Sequence, residues 1–379
     1  MKKILYLLSI NILTITLFAA CTTKTMAQNV RVRVFSTCNI TSLTLTPSFG
    51  AYTLNDSIKL NKSNKVNISV NDCKIAVSLN DKTIAKTDSV KISSEDLKCF
   101  VQITPDNVKP RRYDNNIIIK LDVAKKNLII INDVSQDNYL AGVVQSEAGG
   151  ASDNVEFFKV QAICCRSYMY RFINKHAKDG YNLCDDVNCQ VYLSRANKPQ
   201  CIEGAASTNG EIIVDENDKI IETLFHSNSG GQTSNSEDVW SNKIPYLRSV
   251  VDSFSLNMPN AKWEKEITQK QWLNYFKGKG INTKKNKDEL LSFSQSQGRK
   301  TDILGVPLTQ IRKDFNLKST YFDVIVWGSN IKLKGRGYGH GVGMSQEGAV
   351  NMCESGYEYW EVIEFYYKDV KIKNLNKDS

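Results

Sequence analysis

No block of like charge stands out in this chain apart from the lysines between Lys284 and Lys287, although 49 basic against 40 acidic residues leave a formal net charge of +9. A solvated basic surface accounts for such a spread, and attraction to an anionic wall polymer is compatible with it. Nucleic-acid motifs are missing, so nucleic acid is not an expected partner. The glycines at 335, 337, 339, 341 and 343 lack the register of a dinucleotide fingerprint, and no lysine followed by serine or threonine completes a P-loop there. SNSGG at 227–231 is not the GxSxG elbow of a serine hydrolase, and no strand-elbow-helix context surrounds it. Cys184 and Cys189 are spaced more loosely than the CxxC of a zinc ribbon. On spacing alone, zinc, a disulfide and free thiols all remain open at that pair. Finally, no obvious second carboxylate accompanies the one candidate acid described below.

At the start of the chain, Lys2 and Lys3 precede an uncharged run from Ile4 to Ala20, with small residues before Cys21. Residues 1–20 read as a lipoprotein-type signal peptide, Cys21 as the lipidated membrane anchor and Thr22–Asn29 as a polar tether. Cleavage after Ala27 and an uncleaved anchor are the alternatives. Each places the remainder outside the cytoplasm, in the cell envelope facing the periplasm or wall.

The roughly 350 residues that follow suffice for two domains with sizeable cores. From Val30 to Val134 the pattern alternates with period two in VRVRV, SLTLT, KVNISV, KIAVSL, VKIS, FVQIT and NIIIKLDV, separated by Asn, Asp, Ser and Pro turns. These are strands of an antiparallel barrel or sandwich. The expected fold class is α+β, with a β-rich accessory region over 30–110 followed by a mixed α/β domain over 111–379. EIIVDENDKIIETL reads as a hairpin turning at Asp215 to Asp218. The lysine-rich, polar stretch 253–319 reads as a variable insertion or lid, with a helical patch at Lys270 to Phe276.

Within the second region, DNYLAGVVQSEAGG (Asp137–Gly150) places Glu147 after an apolar run and before two glycines. A carboxylate at the edge of a core is partly desolvated, which raises its pKa and suits it to act as a general acid. Gly149 and Gly150 are expected to turn the backbone sharply beside it. Ser152 and Asp153 are N-cap residue types, and Val155, Phe158, Ala162, Cys165, Met169 and Phe172 recur at helical spacing, which predicts a long buried helix. Arg166 is the one cation inside that helix's otherwise apolar segment and is a candidate substrate ligand. His226, Ser227 and Gly230 belong to a polar, glycine-bearing loop suited to line a sugar cleft. The alternating glycines suggest extended backbone packed closely against something, presenting His340 and then Ser345 and Gln346 at a helix start.

These segments resemble the SpoIID/LytB domain family of the bacterial cell wall. YLAGVVQSE, KVQAICCRSYMY, YNLCDDVNCQVY (Tyr181–Tyr192), FHSNSGGQTSNSEDVW (Phe225–Trp240) and GRGYGHGVGMSQEGA (Gly335–Ala349) match in the family's order, covering roughly Leu128 to Val370. The resemblance implies a SpoIID-like catalytic domain acting on peptidoglycan glycan strands as a lytic transglycosylase, with Glu147 as acid and base. It also implies zinc near the active site, held by Cys184, Cys189 and a histidine, here His176. Some members are regarded as amidase enhancers, which makes a cell-wall amidase the alternative partner. A transglycosylase needs no second carboxylate, because the 6-hydroxyl of muramic acid is its nucleophile; ordinary glycosidases use two. Asp185, Glu237 and Asp238 are the unmatched acids that three-dimensional folding could bring to the cleft.

Overall fold

The period-two runs become two facing antiparallel sheets in a computed structural model of the chain, which describes residues 29–124 and 126–377. The expected signal segment, Cys21 and its tether lie outside the described residues, Asn29 excepted. In the strand Asn29–Val34 the valines 30, 32 and 34 are buried while Arg31 and Arg33 are not. A one-residue slip would exchange the two sets, so burial sets the register. Each valine or isoleucine placed inside contributes about 1.5–3 kcal/mol.

One sheet has seven strands, in the order Leu183–Cys184, Asn29–Val34, Asn127–Ser135, Asn116–Asp122, Ser89–Ser94, Tyr52–Leu54 and Ile58–Leu60. The other runs Arg111–Asp114, Phe100–Pro105, Ser42–Phe49, Val66–Asn71, Lys74–Leu79 and Lys82–Thr87. Val32, Leu45, Ile68, Val77, Val101 and Ile119 from the two sheets share one core with the helices that follow. Residue 110 is not a structural break. Phe100–Pro105 pairs with Arg111–Asp114 across it, and Ser89–Ser94 pairs with Asn116–Asp122.

The strand Asn127–Ser135 runs directly into helix α1 (Gln136–Ala148), where Ser135 accepts the N–H of Asn138 as N-cap. Helix α2 (Val155–Arg171) is buried over most of its circumference, and its cap is Asn154, which accepts the Glu156 N–H at 2.9 Å; Ser152 instead accepts the Asn154 N–H. Helix α3 (Pro199–Ser207) packs against both. The hairpin expected after Gly210 has only a single bridge, Val214 to Ile220, in its return arm. The strand Glu211–Asp215 pairs instead with Val370–Asn374.

The stretch expected as a loose insertion builds a second core. Trp263, Trp272, Phe276, Leu290 and Ile311 pack with Phe322, Val324, Ile331 and Leu333, so this unit extends beyond residue 319. Its sheet pairs Asn330–Arg336 with both Lys262–Thr268 and Phe322–Trp327. No helix among the described residues is long and apolar enough to cross a membrane.

Candidate active site

The last turn of α1 holds a neighbouring loop by three consecutive side chains. Gln145 accepts the N–H groups of Asn197 and Lys198 at 2.7 and 2.8 Å, Ser146 accepts that of Leu193 at 3.0 Å, and Glu147 accepts that of Val191 at 2.7 Å. Gly142 permits the approach: a Cβ there would stand 2.4 Å from the Tyr192 ring and 2.8 Å from the Ser194 carbonyl oxygen. Glu147 is half-buried. Burial pushes its pKa above the ordinary carboxyl value, outweighing the Val191 N–H, which favours the carboxylate. The turn expected after Glu147 forms across Gly149 and Gly150, closed by the Ala151 N–H on Ala148 O at 3.0 Å, although Gly149 itself keeps right-handed helical angles (φ −61°, ψ −22°).

Glu147 opens on a cleft of about 460 Å³. Tyr168 of α2 and Phe172, its C-cap, form one wall, Val187–Val191 a second, and Glu222–Phe225 with His340 a third. Glu222 is therefore a second carboxylate on the cleft, in a position that pattern reading missed. The three acids considered from sequence are engaged elsewhere. Asp185 accepts the N–H groups of Phe35 and Ser36 and pairs with Arg111 at 2.9 Å. Glu237 binds Arg248, which holds its carboxyl at about 2, and Asp238 caps Asn235.

The model of the SpoIID family, "Stage II sporulation protein", matches residues 124–214, the span from the strand before α1 through α2 and the Cys184–Cys189 loop. Stage II sporulation protein D of Bacillus subtilis (strain 168) is 29% identical over 265 residues, covering 65% of this chain and 76% of that protein. Its counterpart in Bacillus amyloliquefaciens is 28% identical over the same shares. The amidase enhancer of Bacillus subtilis (strain 168) is 25% identical over 352 residues, which span 74% of this chain and 48% of the enhancer. A SpoIID domain thus spans residues 124–214 of this chain.

Beside the cleft, one donor atom each from His176, Cys184 and Cys189 lies within 4.8 Å of the others. The Cys189 sulfur is 3.5 Å from His176 Nε2, and the two thiols are unbonded. Their hydrogen bond lowers the Cys189 thiol to about 7 and raises that of Cys184, so the pair retains one proton in preference to two charges. Two soft sulfurs and an imidazole suit zinc, and an Asp179 oxygen 3.7 Å from His176 Nδ1 can orient the ring. Parallel pairing of Leu183–Cys184 with Val32 and Arg33 anchors the loop to the sheet.

Of the other residues singled out from sequence, His340 lines the cleft and Gln346 reaches the Glu147 carbonyl oxygen at 3.5 Å. His340 accepts the Val342 N–H at Nδ1 and donates from Nε2 to the Phe225 carbonyl. Burial lowers its pKa to about 4. Arg166 turns inward: it is 2% exposed, and its guanidinium donates to Ala205 O, Glu211 O and Thr208 Oγ1. Ser345 likewise turns inward, fully buried as the N-cap of the helix Gln346–Glu354 and as acceptor for the Ser229 N–H. His226 is buried behind His340, with ring centroids 5.4 Å apart, and burial drives its pKa well below the usual imidazole value. Ser227 and Gly230 do not line the cleft; the Ser227 carbonyl accepts the Glu347 N–H, and Gly230 crosses against the backbone of Arg336 and Gly337. The glycine segment packs closely, as its pattern suggests, yet it is not simply extended. Gly337, Gly339, Gly341 and Gly343 all have φ between 70° and 117°, the left-handed region that glycine alone enters readily.

Proposed function

We propose that this protein cleaves peptidoglycan glycan strands as a lytic transglycosylase, with Glu147 as its acid and base. The observation that carries this reading is a carboxyl raised in pKa by burial and opening on a cleft large enough for sugars. The SpoIID domain and the similarity to an amidase enhancer support a cell-wall-related role. Export to the cell envelope through a lipidated Cys21 belongs to the same reading.

In the proposed reaction Glu147 gives its proton to the bridging glycosidic oxygen as the bond from the anomeric carbon breaks. The 6-hydroxyl of the same muramic acid then bonds to that carbon and returns its proton to the Glu147 carboxylate. A 1,6-anhydro ring closes, no water is consumed and the acid is regenerated. Burial favours the protonated form needed first, and the Val191 N–H steadies the carboxylate that follows. His340 has both ring nitrogens engaged by backbone and is neutral near pH 7, which suits a fixed wall and not a proton donor.

Cys184, Cys189 and His176 would hold zinc. Bound there, the ion would clamp the loop that presents Val191 to the acid.

Two other readings each have an observation in their favour. Similarity to the amidase enhancer favours a non-catalytic protein that binds the wall and stimulates an amidase. Glu222 on the cleft favours a hydrolase in which a second carboxylate activates water. Mass spectrometry of fragments released from purified sacculi separates the three. New ends lighter by one water and inert to borohydride are expected. Reducible ends would replace the reading with hydrolysis, and uncut strands would leave the enhancer.

A further inference from the structure

An exposed tryptophan stands beside the cleft, and the proposed chemistry does not use it. Trp240 is 43% exposed, yet the loop that carries it is tied down. Its N–H donates to Ser236 O at 2.8 Å, and Asn235 and Asp238 form a reciprocal capping box just before it. Ser236 Oγ donates to Asn242 O and accepts the Ile244 N–H, both at 2.8 Å. Arg248 grips the Glu237 carboxylate through two nitrogens at 2.7 and 2.6 Å. A rigid support thus holds a large apolar ring toward water, against the burial preference of such a side chain.

The indole lies against the cleft wall. Its ring centroid is 5.2 Å from that of His340, with the planes tilted by 54°. His340 is fixed at both nitrogens and lines the cleft that holds Glu147. Tyr338, two residues earlier, adds a second exposed aromatic ring at 45%. Lys175 stands with Glu147 and Glu222 on the cleft, so charges of both signs line it and the exposed rings carry the selection of an occupant. A pyranose meets the remaining requirements: one face of its chair presents aliphatic C–H groups that stack on an aromatic ring, and its hydroxyls stay in water.

We infer that Trp240 is a sugar-stacking platform that receives a pyranose of the glycan strand next to the sugars at Glu147. The inference rests on the reading of the cleft as a glycan site and adds a subsite to it. Because the platform is rigid before the ligand arrives, little ordering is lost on binding.

The test is equilibrium binding of soluble, peptide-free glycan strands to the full chain carrying Glu147→Gln, which prevents turnover. Adding Trp240→Ala is expected to weaken binding about tenfold, a difference of about 1.4 kcal/mol. Trp240→Tyr should recover most of that loss, and all variants should unfold at the same temperature. The glycan-induced change in tryptophan emission should be lost in Trp240→Phe. Equal binding with and without Trp240, or a loss that Tyr does not recover, would overturn the platform while leaving the glycan reading intact. Absence of binding by the Glu147→Gln chain itself would remove the glycan reading and the platform with it.

Discussion

The Glu147 carboxylate and the Val191 backbone N–H meet at 2.7 Å across a separation of 44 residues. This contact joins the candidate acid to the loop that also carries Cys189 and Cys184. Gln145 and Ser146 hold the same loop a few residues further on, so continuous backbone links the sulfurs to the acid.

Glu147→Gln is expected to lower glycan cleavage by about 100- to 10,000-fold. It should leave stability at pH 7 equal or slightly higher. The reason is one of sign: a carboxyl whose folded pKa is raised favours folding below its unfolded pKa and loses that contribution as pH rises through the folded value. Once ionised, it is a desolvated charge that Gln removes, while an amide oxygen can still accept the Val191 N–H. Cleavage assays and thermal unfolding check both parts, and wild-type turnover would exclude Glu147 as the acid.

Elemental analysis should find about one zinc per chain in protein purified without added metal or chelator, falling in Cys184→Ser. Intact-mass data showing Cys184 linked to Cys189 as a disulfide would exclude the metal site.

Arg166→Leu is expected to destabilise the fold by about 2–4 kcal/mol, because it leaves the Ala205 and Glu211 carbonyls without their buried donor. Urea unfolding measures the loss. Glycan binding per folded molecule should not change; weakened binding at unchanged stability would restore Arg166 as a substrate ligand.

Acid should weaken the region around the paired histidines. The folded-state pKa of His340 is depressed from 6.5 to about 4 by burial, so its contribution is complete above pH 6.5 and is lost as pH falls toward 4. His226 acts in the same direction. The slope for one such histidine is at most about 1.4 kcal/mol per pH unit. Urea midpoints at pH 7, 5 and 4 should show the decline, and His340→Gln should make it shallower.

Much of this molecule was legible before folding because burial imposes simple periods. VRVRV, KIAVSL and FVQIT became strands whose inward residues are the alternating apolar ones, and the three-four spacing from Val155 onward became α2. Arg166 shows where pattern stops. A lone cation in an apolar helix reads the same whether it meets a ligand or the carbonyls of a neighbouring segment, and the packing of α3 on α2 chose the carbonyls. The stretch from Ser253 misled for another reason: its lysines mask a core whose members come from short, widely separated segments.

By itself the sequence determined the strand-rich first part, the helix that buries Cys164 and Cys165, the SpoIID domain and the position of the candidate acid, because each depends on local periods or contiguous motifs. Only the tertiary structure decided what faces that acid. Glu222, Tyr168 and Phe172 come to the cleft from separate elements, and Trp240 reaches its edge through a loop tied by Arg248. Which side chains converge depends on how strands cross and helices pack, and neither leaves a period in the chain.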